Sequence, residues 1–353
     1  MATVSPPQTE INAVIALYSN GQIQEALDSV AALIKDYPNE ALLYNISGVC
    51  HKAIGRLDVA VESFEKALAI KPDYTEVNYN LGLTLQELRQ LDAAVKCYEQ
   101  ALAVKPDYAE AHYNLGNAFK ELGQLDAAVK SYERAVVLKP DHAIAHNNLG
   151  NTLSDLGQLD AAVKSYEKAV TLKPDYAEAH NNLGVTLKEL GKHEAAVKCY
   201  EKAVALKPDY AEAHNNLGIV LMELGKHDAA VVHYEKALVI KPDYAEAHNN
   251  LGAAFHKLGQ VDAALKCFKK ALAIKADYAD VYANRGNALK DLGQLDEALV
   301  SYESAVALNP NLAFILGDIY FAKMALCLWD DLANRLNELT KKINNSEKVL
   351  NPF

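Results

Sequence analysis

Apolar and small residues recur along this chain with the spacing of amphipathic helices, and they do so in paired segments. The first segment of a pair carries leucine followed by glycine, as in Leu115 and Gly116, with an apolar residue such as Phe119 one helical turn later. The second segment carries an alanine, then usually an aromatic residue four positions on and a second small residue three positions after that. Spacings of three and four residues place such side chains on one face of a helix. The pattern therefore predicts a chain built from helical hairpins.

The hairpins repeat every 34 residues, and prolines mark the period. These prolines are Pro38, Pro72, Pro106, Pro140, Pro174, Pro208, Pro242 and Pro310, and Ala276 takes the place of one more. Numbering each repeat from position 1 to position 34 predicts a tail at 1–6, nine repeats from 7–40 to 279–312, and capping helices with a junction at 313–353. Glycine at position 15, as in Gly123, predicts the end of each first helix. Arg89 takes this place once.

Aspartate and glutamate at the junctions predict where the next helix begins. Asp107 precedes Glu110 by three residues, which is the spacing of a reciprocal capping box. The same spacing recurs in Asp73 with Glu76, Asp175 with Glu178, Asp209 with Glu212, and Asp243 with Glu246. We therefore expect each of these aspartate side chains to cap the helix that follows it.

This unit closely resembles the tetratricopeptide repeat over about residues 7–312. The residues that carry the resemblance are the Leu-Gly pair, the alanine and aromatic of the second helix, and the terminal proline. Two departures stand out: the tryptophan frequent at position 4 of the family is absent, and Val14 replaces the position 8 glycine of the first repeat. The resemblance implies an all-α fold, a right-handed superhelical solenoid of helix–turn–helix repeats whose first helices line the concave side.

Asparagine recurs at three positions of the first helix, on the side that the resemblance makes concave. Position 6 holds Asn80, Asn114, Asn148, Asn182, Asn216, Asn250 and Asn284. Position 5 holds Asn147, Asn181, Asn215 and Asn249, and position 9 holds Asn117, Asn151 and Asn287. A primary amide offers both donors and an acceptor, which suits the alternating N–H and C=O groups of an extended peptide. The sequence thus predicts a peptide-binding face. Hydrogen bonding between neighbouring repeats is the alternative use of the same side chains.

Composition narrows the classes of partner. The net charge is −11, from 46 acidic and 35 basic residues without basic runs, so we expect neither nucleic acid nor an anionic membrane surface as a partner. No apolar run approaches the roughly 18 residues of a membrane-spanning helix. The first residues show no basic leader or cleavage pattern of a signal peptide. We expect protein or peptide partners and a cytoplasmic location.

Groups that could perform chemistry are few. Position 4 holds His112, His146, His180, His214 and His248. Successive copies lie about one repeat apart, too far for one metal ion, and we expect them to pack between helices. The cysteines are Cys50, Cys97, Cys199, Cys267 and Cys327, and three of them recur at multiples of 34 residues, which is typical of a small buried side chain. We expect no metal, no cofactor and no catalytic centre in this chain.

The segment after Pro310 predicts two further helices, at 313–326 and about 330–343, that would cap the last repeat. The Trp-Asp-Asp stretch that begins at Trp329 and the closing Asn-Pro-Phe resemble the junction in O-GlcNAc transferase-like proteins, where a repeat array passes into a glycosyltransferase domain. This resemblance implies a substrate-recruiting arm without its catalytic half. The alternatives are a freestanding adaptor or assembly protein, with possible self-association, and, less favoured, catalysis by the chain itself.

Overall fold

The computed structural model describes residues 6–312, residues 315–328 and Thr340. Across this part of the chain all regular elements are helices, and none is both long enough and apolar enough to cross a membrane. The molecule divides into two compact units, residues 1–174 and residues 175–353. The predicted all-α fold is therefore confirmed. The predicted second helix of the tail, at about 330–343, falls almost entirely outside the described residues.

The first unit contains ten helices in its described part, and each packs against the next. They are α1 (Gln8–Ser19), α2 (Ile23–Asp36), α3 (Ala41–Ala53), α4 (Leu57–Ile70), α5 (Thr75–Glu87), α6 (Leu91–Val104), α7 (Ala109–Glu121), α8 (Leu125–Leu138), α9 (Ala143–Asp155) and α10 (Leu159–Leu172). Odd-numbered helices are the first helices of hairpins, and even-numbered helices are the second.

The second unit contains nine helices in its described part and continues the same alternation. They are α11 (Ala177–Glu189), α12 (His193–Leu206), α13 (Ala211–Glu223), α14 (His227–Ile240), α15 (Ala245–Lys257), α16 (Val261–Ile274), α17 (Ala279–Asp291), α18 (Leu295–Leu308) and α19 (Ile315–Ala325). Helix α19 packs on α18 through Ile315 and Ile319, which are both buried, so an apolar face of the last hairpin is covered.

The turn inside each hairpin follows from the glycine at position 15. Gly123 has φ +73°, which is a left-handed conformation. Glycine adopts it without steric strain because it has no Cβ atom. Its N–H donates to the Lys120 carbonyl, and the N–H of Gln124 donates to the Phe119 carbonyl. These two bonds form a Schellman motif, which satisfies the last carbonyls of α7. Arg89 adopts the same conformation at φ 62° without being glycine.

Close contact between the two helices of a hairpin rests on position 8. A Cβ placed on Gly116 would lie 2.7 Å from the ring of Tyr132, and one on Gly218 would lie 2.5 Å from the ring of Tyr234. Both tyrosines are almost completely buried. The first hairpin is packed with different residues. Val14 and Val30 occupy the positions at which the other described hairpins have glycine and an aromatic residue, and both valines are buried. The core is thus a series of filled gaps between paired helices.

The predicted capping boxes are wrong. Helix α7 begins at Ala109 with Tyr108 as its N-cap residue, and no side chain caps it. Asp107 therefore lies one residue outside the cap position. The same holds for the helices after Asp73, Asp175, Asp209 and Asp243, whose N-cap residues are tyrosines. Glu110 instead interacts with its own backbone N–H, and this is the main reason why the pKa of its carboxyl group is lowered.

Candidate functional site

The position 5 asparagines lie in the second turn of the first helices, and they are buried. Their exposed fractions are 5% for Asn147, 7% for Asn181, 0% for Asn215 and 8% for Asn249. A buried amide must find partners within the protein. This row therefore supports other protein groups and offers almost no surface to a ligand.

In the second unit the partners of this row are the position 6 asparagines of the next repeat. Nδ2 of Asn216 donates to Oδ1 of Asn181 at 3.1 Å, and Nδ2 of Asn250 donates to Oδ1 of Asn215 at 3.1 Å. Nδ2 of Asn284 donates to Oδ1 of Asn249 at 3.0 Å. The position 6 side chains are half-buried. Among the described residues, nothing donates a hydrogen bond to the Oδ1 atoms of Asn216, Asn250 and Asn284, so these three oxygens remain available.

In the first unit the same position uses different acceptors. Nδ2 of Asn114 donates to the hydroxyl of Tyr79 at 2.9 Å, and Nδ2 of Asn148 donates to the hydroxyl of Tyr113 at 3.1 Å. Asn80 donates to Oδ1 of Asn45, at 3.2 Å. In each case the acceptor lies 35 residues earlier, at position 5 of the preceding repeat. Position 6 therefore joins consecutive repeats whichever residue accepts the bond.

The position 6 oxygens of two further asparagines are already engaged by their own neighbours. Nδ2 of Asn147 donates to Oδ1 of Asn148, and Nδ2 of Asn181 donates to Oδ1 of Asn182, both at 3.4 Å. Both bonds are long. Asn182 is half-buried and has further interactions. Among the described position 6 asparagines, Oδ1 thus accepts no hydrogen bond in Asn80 of α5, which stands alone in the first unit, and in those of α13, α15 and α17, which follow one another in consecutive repeats.

The position 9 asparagines have a structural partner that the sequence interpretation missed. The hydroxyl of Tyr132 donates to Oδ1 of Asn117 at 2.7 Å, and the hydroxyl of Tyr166 donates to Oδ1 of Asn151 at 2.7 Å. These tyrosines occupy position 24 and are buried, and burial is the main cause of the raised pKa of Tyr132. A buried hydroxyl requires a hydrogen-bond partner, which the asparagine provides.

A signal in the sequence could have revealed this pairing. Asn287 and Tyr302 form the same bond, at 2.9 Å. Where position 24 is phenylalanine, position 9 is apolar, as in Phe268 with Ala253. Three tyrosines are exceptions, because position 9 of their repeats is apolar: Tyr98, Tyr200 and Tyr234. The hydroxyl of Tyr98 donates instead to Oε1 of Gln86 at 3.0 Å, and the buried hydroxyl of Tyr200 finds no partner. Asparagine at position 9 therefore occurs only in repeats that have a tyrosine at position 24, although half of those tyrosines have an apolar residue there instead.

The position 4 histidines bind the backbone of the preceding loop. Nε2 of His112 lies 3.0 Å from the carbonyl of Pro106, and His146, His214 and His248 make the equivalent contact at 3.0–3.2 Å. Since a carbonyl only accepts, these Nε2 atoms carry the proton. Burial is the main cause of their lowered pKa values. His180, at the same position, is half-buried.

The structure places three cysteines, Cys50, Cys97 and Cys267, in buried positions, whereas Cys199 is half-buried and Cys327 is exposed. Burial raises the pKa of Cys97 to about 11, so its thiol is protonated at neutral pH. In the described part of the chain, no group of three or more His, Cys, Asp or Glu side chains could hold a metal ion.

The paired helices, the 34-residue period and the inter-repeat hydrogen bonds define a helical-repeat protein. Models of the TPR repeat match residues 51–89, 150–191, 186–225, 220–259 and 253–293. Models of the tetratricopeptide repeat match residues 79–143, 131–164 and 279–312. The chain belongs to the tetratricopeptide repeat family.

Curated relatives match over short stretches. The peroxisomal targeting signal receptor of Candida albicans is 29% identical over 89 residues, which is 24% of this chain and 15% of that protein. The receptor of the same name from Kluyveromyces lactis is 26% identical over 78 residues, 22% of this chain and 14% of that protein. The chain thus spans only a small part of the length of these relatives.

Solved structures resemble the chain over longer stretches. The Cut9–Hcn1 hetero-tetramer of the APC/C is 19% identical, covers 85% of this chain and 59% of that chain, and has a TM-score of 0.54. MamA is 34% identical, covers 46% of this chain and 98% of that chain, and has a TM-score of 0.44. YrrB, described as a TPR protein with an unusual peptide-binding site, is 24% identical, covers 53% and 96%, and has a TM-score of 0.48. The first of these supports the fold.

Proposed function

We propose that this chain is a protein-interaction scaffold that binds an extended polypeptide through the position 6 asparagines of its second unit. The observation that carries the proposal is the state of Asn216, Asn250 and Asn284. Each is half-buried and held by a hydrogen bond to the preceding repeat, and its Oδ1 accepts no hydrogen bond within the described residues. We call these three side chains the asparagine row.

The chemistry of the row matches a peptide main chain. An asparagine side chain has two N–H donors and one carbonyl acceptor. One donor of each row residue is used in the bond to the previous repeat, which fixes the orientation of the amide. The second donor and the carbonyl oxygen remain for a guest, whose backbone offers both an acceptor and a donor at every residue other than proline. Because every residue type shares these groups, the row would accept many sequences.

Apolar side chains next to the row would contact the side chains of the guest. Ile219 follows Asn216 by three residues and Ala253 follows Asn250 by three, so each pair shares one face of its helix. Ile219 and Ala253 are half-buried. The third row residue, Asn284, is instead followed by Asn287, whose oxygen is bonded to Tyr302. In the first unit the apolar residues of this position lie in the first three repeats, and the next two repeats hold Asn117 and Asn151, whose oxygens are bonded to tyrosines. The second unit therefore offers a mixed surface, with amides for the backbone and apolar groups for side chains.

The short matches to peroxisomal targeting signal receptors support this class of function, since such receptors are named for a peptide signal. They match over at most 15% of the receptor length, so the proposal takes from them the recognition of peptide segments in general.

The test uses two triple variants that break the same three hydrogen bonds. Asn216→Ala, Asn250→Ala and Asn284→Ala together remove the row, whereas Asn181→Ala, Asn215→Ala and Asn249→Ala remove its buried partners. The probe is reduced and carboxamidomethylated α-lactalbumin, which is unfolded, and binding is measured by fluorescence anisotropy. We expect the row variant to lose at least about tenfold in affinity and its partner variant to lose much less. Equal affinities of the two variants would contradict the proposal.

Thermal unfolding of both variants provides the control. Each loses three inter-repeat hydrogen bonds, so we expect similar drops in melting temperature, on the order of 1 kcal/mol per bond. Since the stability change is matched, a difference in peptide affinity reports on the exposed amide groups.

A finer form of the proposal is that the scaffold recruits substrates for an O-GlcNAc transferase-like enzyme. It rests on the resemblance of the tail that begins at Trp329, and that tail lies outside the described residues. Sequencing the gene beyond the codon for Phe353 tests it, because a downstream glycosyltransferase domain is required. The alternative is a freestanding adaptor or assembly protein, for which sedimentation velocity should detect stable self-association.

A further inference from the structure

A groove on the second unit, lined by none of the three residues of the asparagine row, has the features of a small-molecule site. Its volume is about 670 Å³, and it lies between α14 and α16 with part of α15 beneath it. The apolar lining includes Leu238, Val239, Leu251 and Ile274, and the polar lining includes Glu235, His248, Cys267 and Lys270. A volume of several hundred cubic ångströms with a mostly apolar lining and few polar groups is typical of ligand sites.

The groove contains a buried acceptor that the protein leaves unpaired. His248 is 6% exposed, and its Nε2 is bonded to the carbonyl of Pro242 at 3.0 Å. Because that carbonyl accepts, Nε2 carries the proton and Nδ1 presents a lone pair. Nδ1 is buried and accepts no hydrogen bond from the protein. An unpaired buried acceptor is unfavourable, and a donor placed there would relieve the cost.

The neighbouring repeat shows one way in which this place is filled, since histidine occupies position 23 there, whereas the repeats of His112 and His146 have serine at that position. His214 is the equivalent of His248, and it too binds the carbonyl of the preceding proline, Pro208. Its Nδ1 lies 3.0 Å from Nδ1 of His233, and the two rings are stacked with centroids 5.3 Å apart. His233 occupies position 23 of that repeat. The Nδ1 side of a position 4 histidine thus faces position 23, and there a histidine supplies both the donor and the bulk.

In the repeat of His248, position 23 is Cys267, which is smaller than histidine. Its thiol makes no hydrogen bond to His248 Nδ1, and it lines the groove together with His248. Relative to the repeat with His233, the cysteine at position 23 therefore provides no hydrogen-bond donor for the histidine at position 4 and occupies less volume beside it. An open groove and an unpaired acceptor are both expected from this one substitution.

We propose that this groove binds a small neutral molecule that has an apolar body and a single O–H or N–H donor, with the donor bonded to Nδ1 of His248. The apolar lining receives the body, and the lone pair of Nδ1 selects the donor. An anion is disfavoured because the lone pair repels it. Glu235 and Lys270 are exposed and of opposite charge, so they add no net charge to the rim.

The test compares two ligands that differ in the donor alone. 4-Propylphenol has a hydroxyl group, and 4-propylanisole has the same body with a methyl ether in its place. Titrations of the full chain followed by calorimetry and by ¹⁵N NMR of the histidine rings should show the phenol binding at least about tenfold tighter, with a shift of the His248 Nδ1 resonance. Equal affinities, or no binding of the phenol, would overturn the proposal.

Two variants copied from the chain itself locate the site. Cys267→His reproduces the pair of the previous repeat, so it should fill the groove and abolish binding. His233→Cys makes the opposite change and should create a second site at His214, doubling the stoichiometry. Melting curves verify that both variants fold. Retention of binding in Cys267→His, or an unchanged stoichiometry in His233→Cys, contradicts the inference.

A third arm separates a free molecule from a side chain of a partner protein. The peptide Gly-Tyr-Gly carries the same phenol within a main chain. Binding of the peptide without binding of the free phenol would show a protein-docking site and overturn the small-molecule assignment, whereas binding of the free phenol at comparable or higher affinity supports it.

Discussion

The two units use one helical framework but connect their repeats with different chemistry. In the first unit, Asn114 and Asn148 donate to tyrosine hydroxyls, and the position 9 asparagines accept from buried tyrosines. In the second unit, Asn250 and Asn284 donate to buried asparagines, and position 9 of α11, α13 and α15 is apolar. In the first unit, Oδ1 of Asn114 and of Asn148 accepts hydrogen bonds from neighbouring asparagines, and Asn80 is the isolated described case in which it does not. In the second unit three consecutive repeats leave the position 6 carbonyl group free. This difference locates the proposed peptide site in the second unit.

The largest expected effect tests whether the framework is really shared. Gly116→Ala and Gly218→Ala would each place a methyl group within 2.8 Å of a buried tyrosine ring. Because overpacking forces helices apart, we expect both to lose about 2 kcal/mol of unfolding free energy, and by similar amounts. Urea denaturation of the two variants measures it. A loss confined to one unit would show that the helix pairs pack differently.

The next effect is a dependence on pH that only the second unit should show strongly. His233 is half-buried against His214, and partial burial followed by the charge of that neighbour lowers its pKa from 6.5 to about 4. The folded state therefore resists a proton that the unfolded state accepts between pH 6.5 and 4, so stability falls as the pH is lowered through this window and is fully present above it.

The matched variant is His233→Ser, since Ser131 occupies the equivalent position in the first unit. Urea midpoints measured from pH 7.5 to pH 4.5 should fall more steeply in the parent chain than in the variant. Identical slopes would mean that the pair does not govern the acid sensitivity.

A smaller effect should differ in sign between Tyr132 of the first unit, whose hydroxyl is paired, and Tyr200 of the second, whose hydroxyl is not. Tyr132→Phe removes a hydroxyl that donates to Asn117, so we expect a loss of about 1 kcal/mol in unfolding free energy. Tyr200→Phe removes a buried hydroxyl without a partner, so we expect a gain of about 1 kcal/mol. Thermal unfolding of the two variants checks this. If both are destabilised equally, the hydroxyl of Tyr200 has a partner in solution and the contrast between the units is weaker than described.

The smallest effect concerns the one position 15 residue that is not glycine. Arg89 has φ 62°, whereas Gly293 and its other equivalents supply this conformation without strain. Arg89→Gly should raise stability by about 0.5 kcal/mol, because relief of strain outweighs the added freedom of the unfolded chain and the loss of the ion pair with Glu121. Differential scanning calorimetry can resolve it. A lower melting temperature would show that the ion pair dominates.

Much of the fold could be predicted from local spacing. The period, the left-handed Gly123 and the contact between small residues and position 24 aromatics all depend on residues close in sequence or on one repeated unit. The capping boxes failed because the helix begins after Tyr108, and the residue type of Asp107 could not reveal that offset. The preference of aspartate for the N-cap position therefore did not decide where the helix begins, because the preceding loop places the first helical turn one residue later.

The candidate site was harder to predict, because its hydrogen bonds join residues 35 positions apart. The sequence shows that asparagines recur at positions 5 and 6. The structure is needed to show that a position 6 asparagine donates a hydrogen bond to the buried position 5 asparagine of the preceding repeat. The tyrosine–asparagine pairing was available in the sequence only in part: each position 9 asparagine accompanies a tyrosine, as Asn287 does Tyr302, but Tyr234 accompanies Ile219. The way in which consecutive helices stack, rather than the residue type, therefore distinguishes the buried position 5 asparagines from the position 6 asparagines that can contact a bound peptide.

Every bond of the asparagine row runs in one sense, from Nδ2 of a later repeat back to Oδ1 of the repeat before it. The amides of the row therefore all donate in the same direction along the repeats, and the row has a polarity of its own. A polypeptide lying along it would meet nitrogen and oxygen atoms in a fixed order, so its two possible N-to-C directions are not equivalent. Reversing a guest sequence should change its affinity even when the composition is kept.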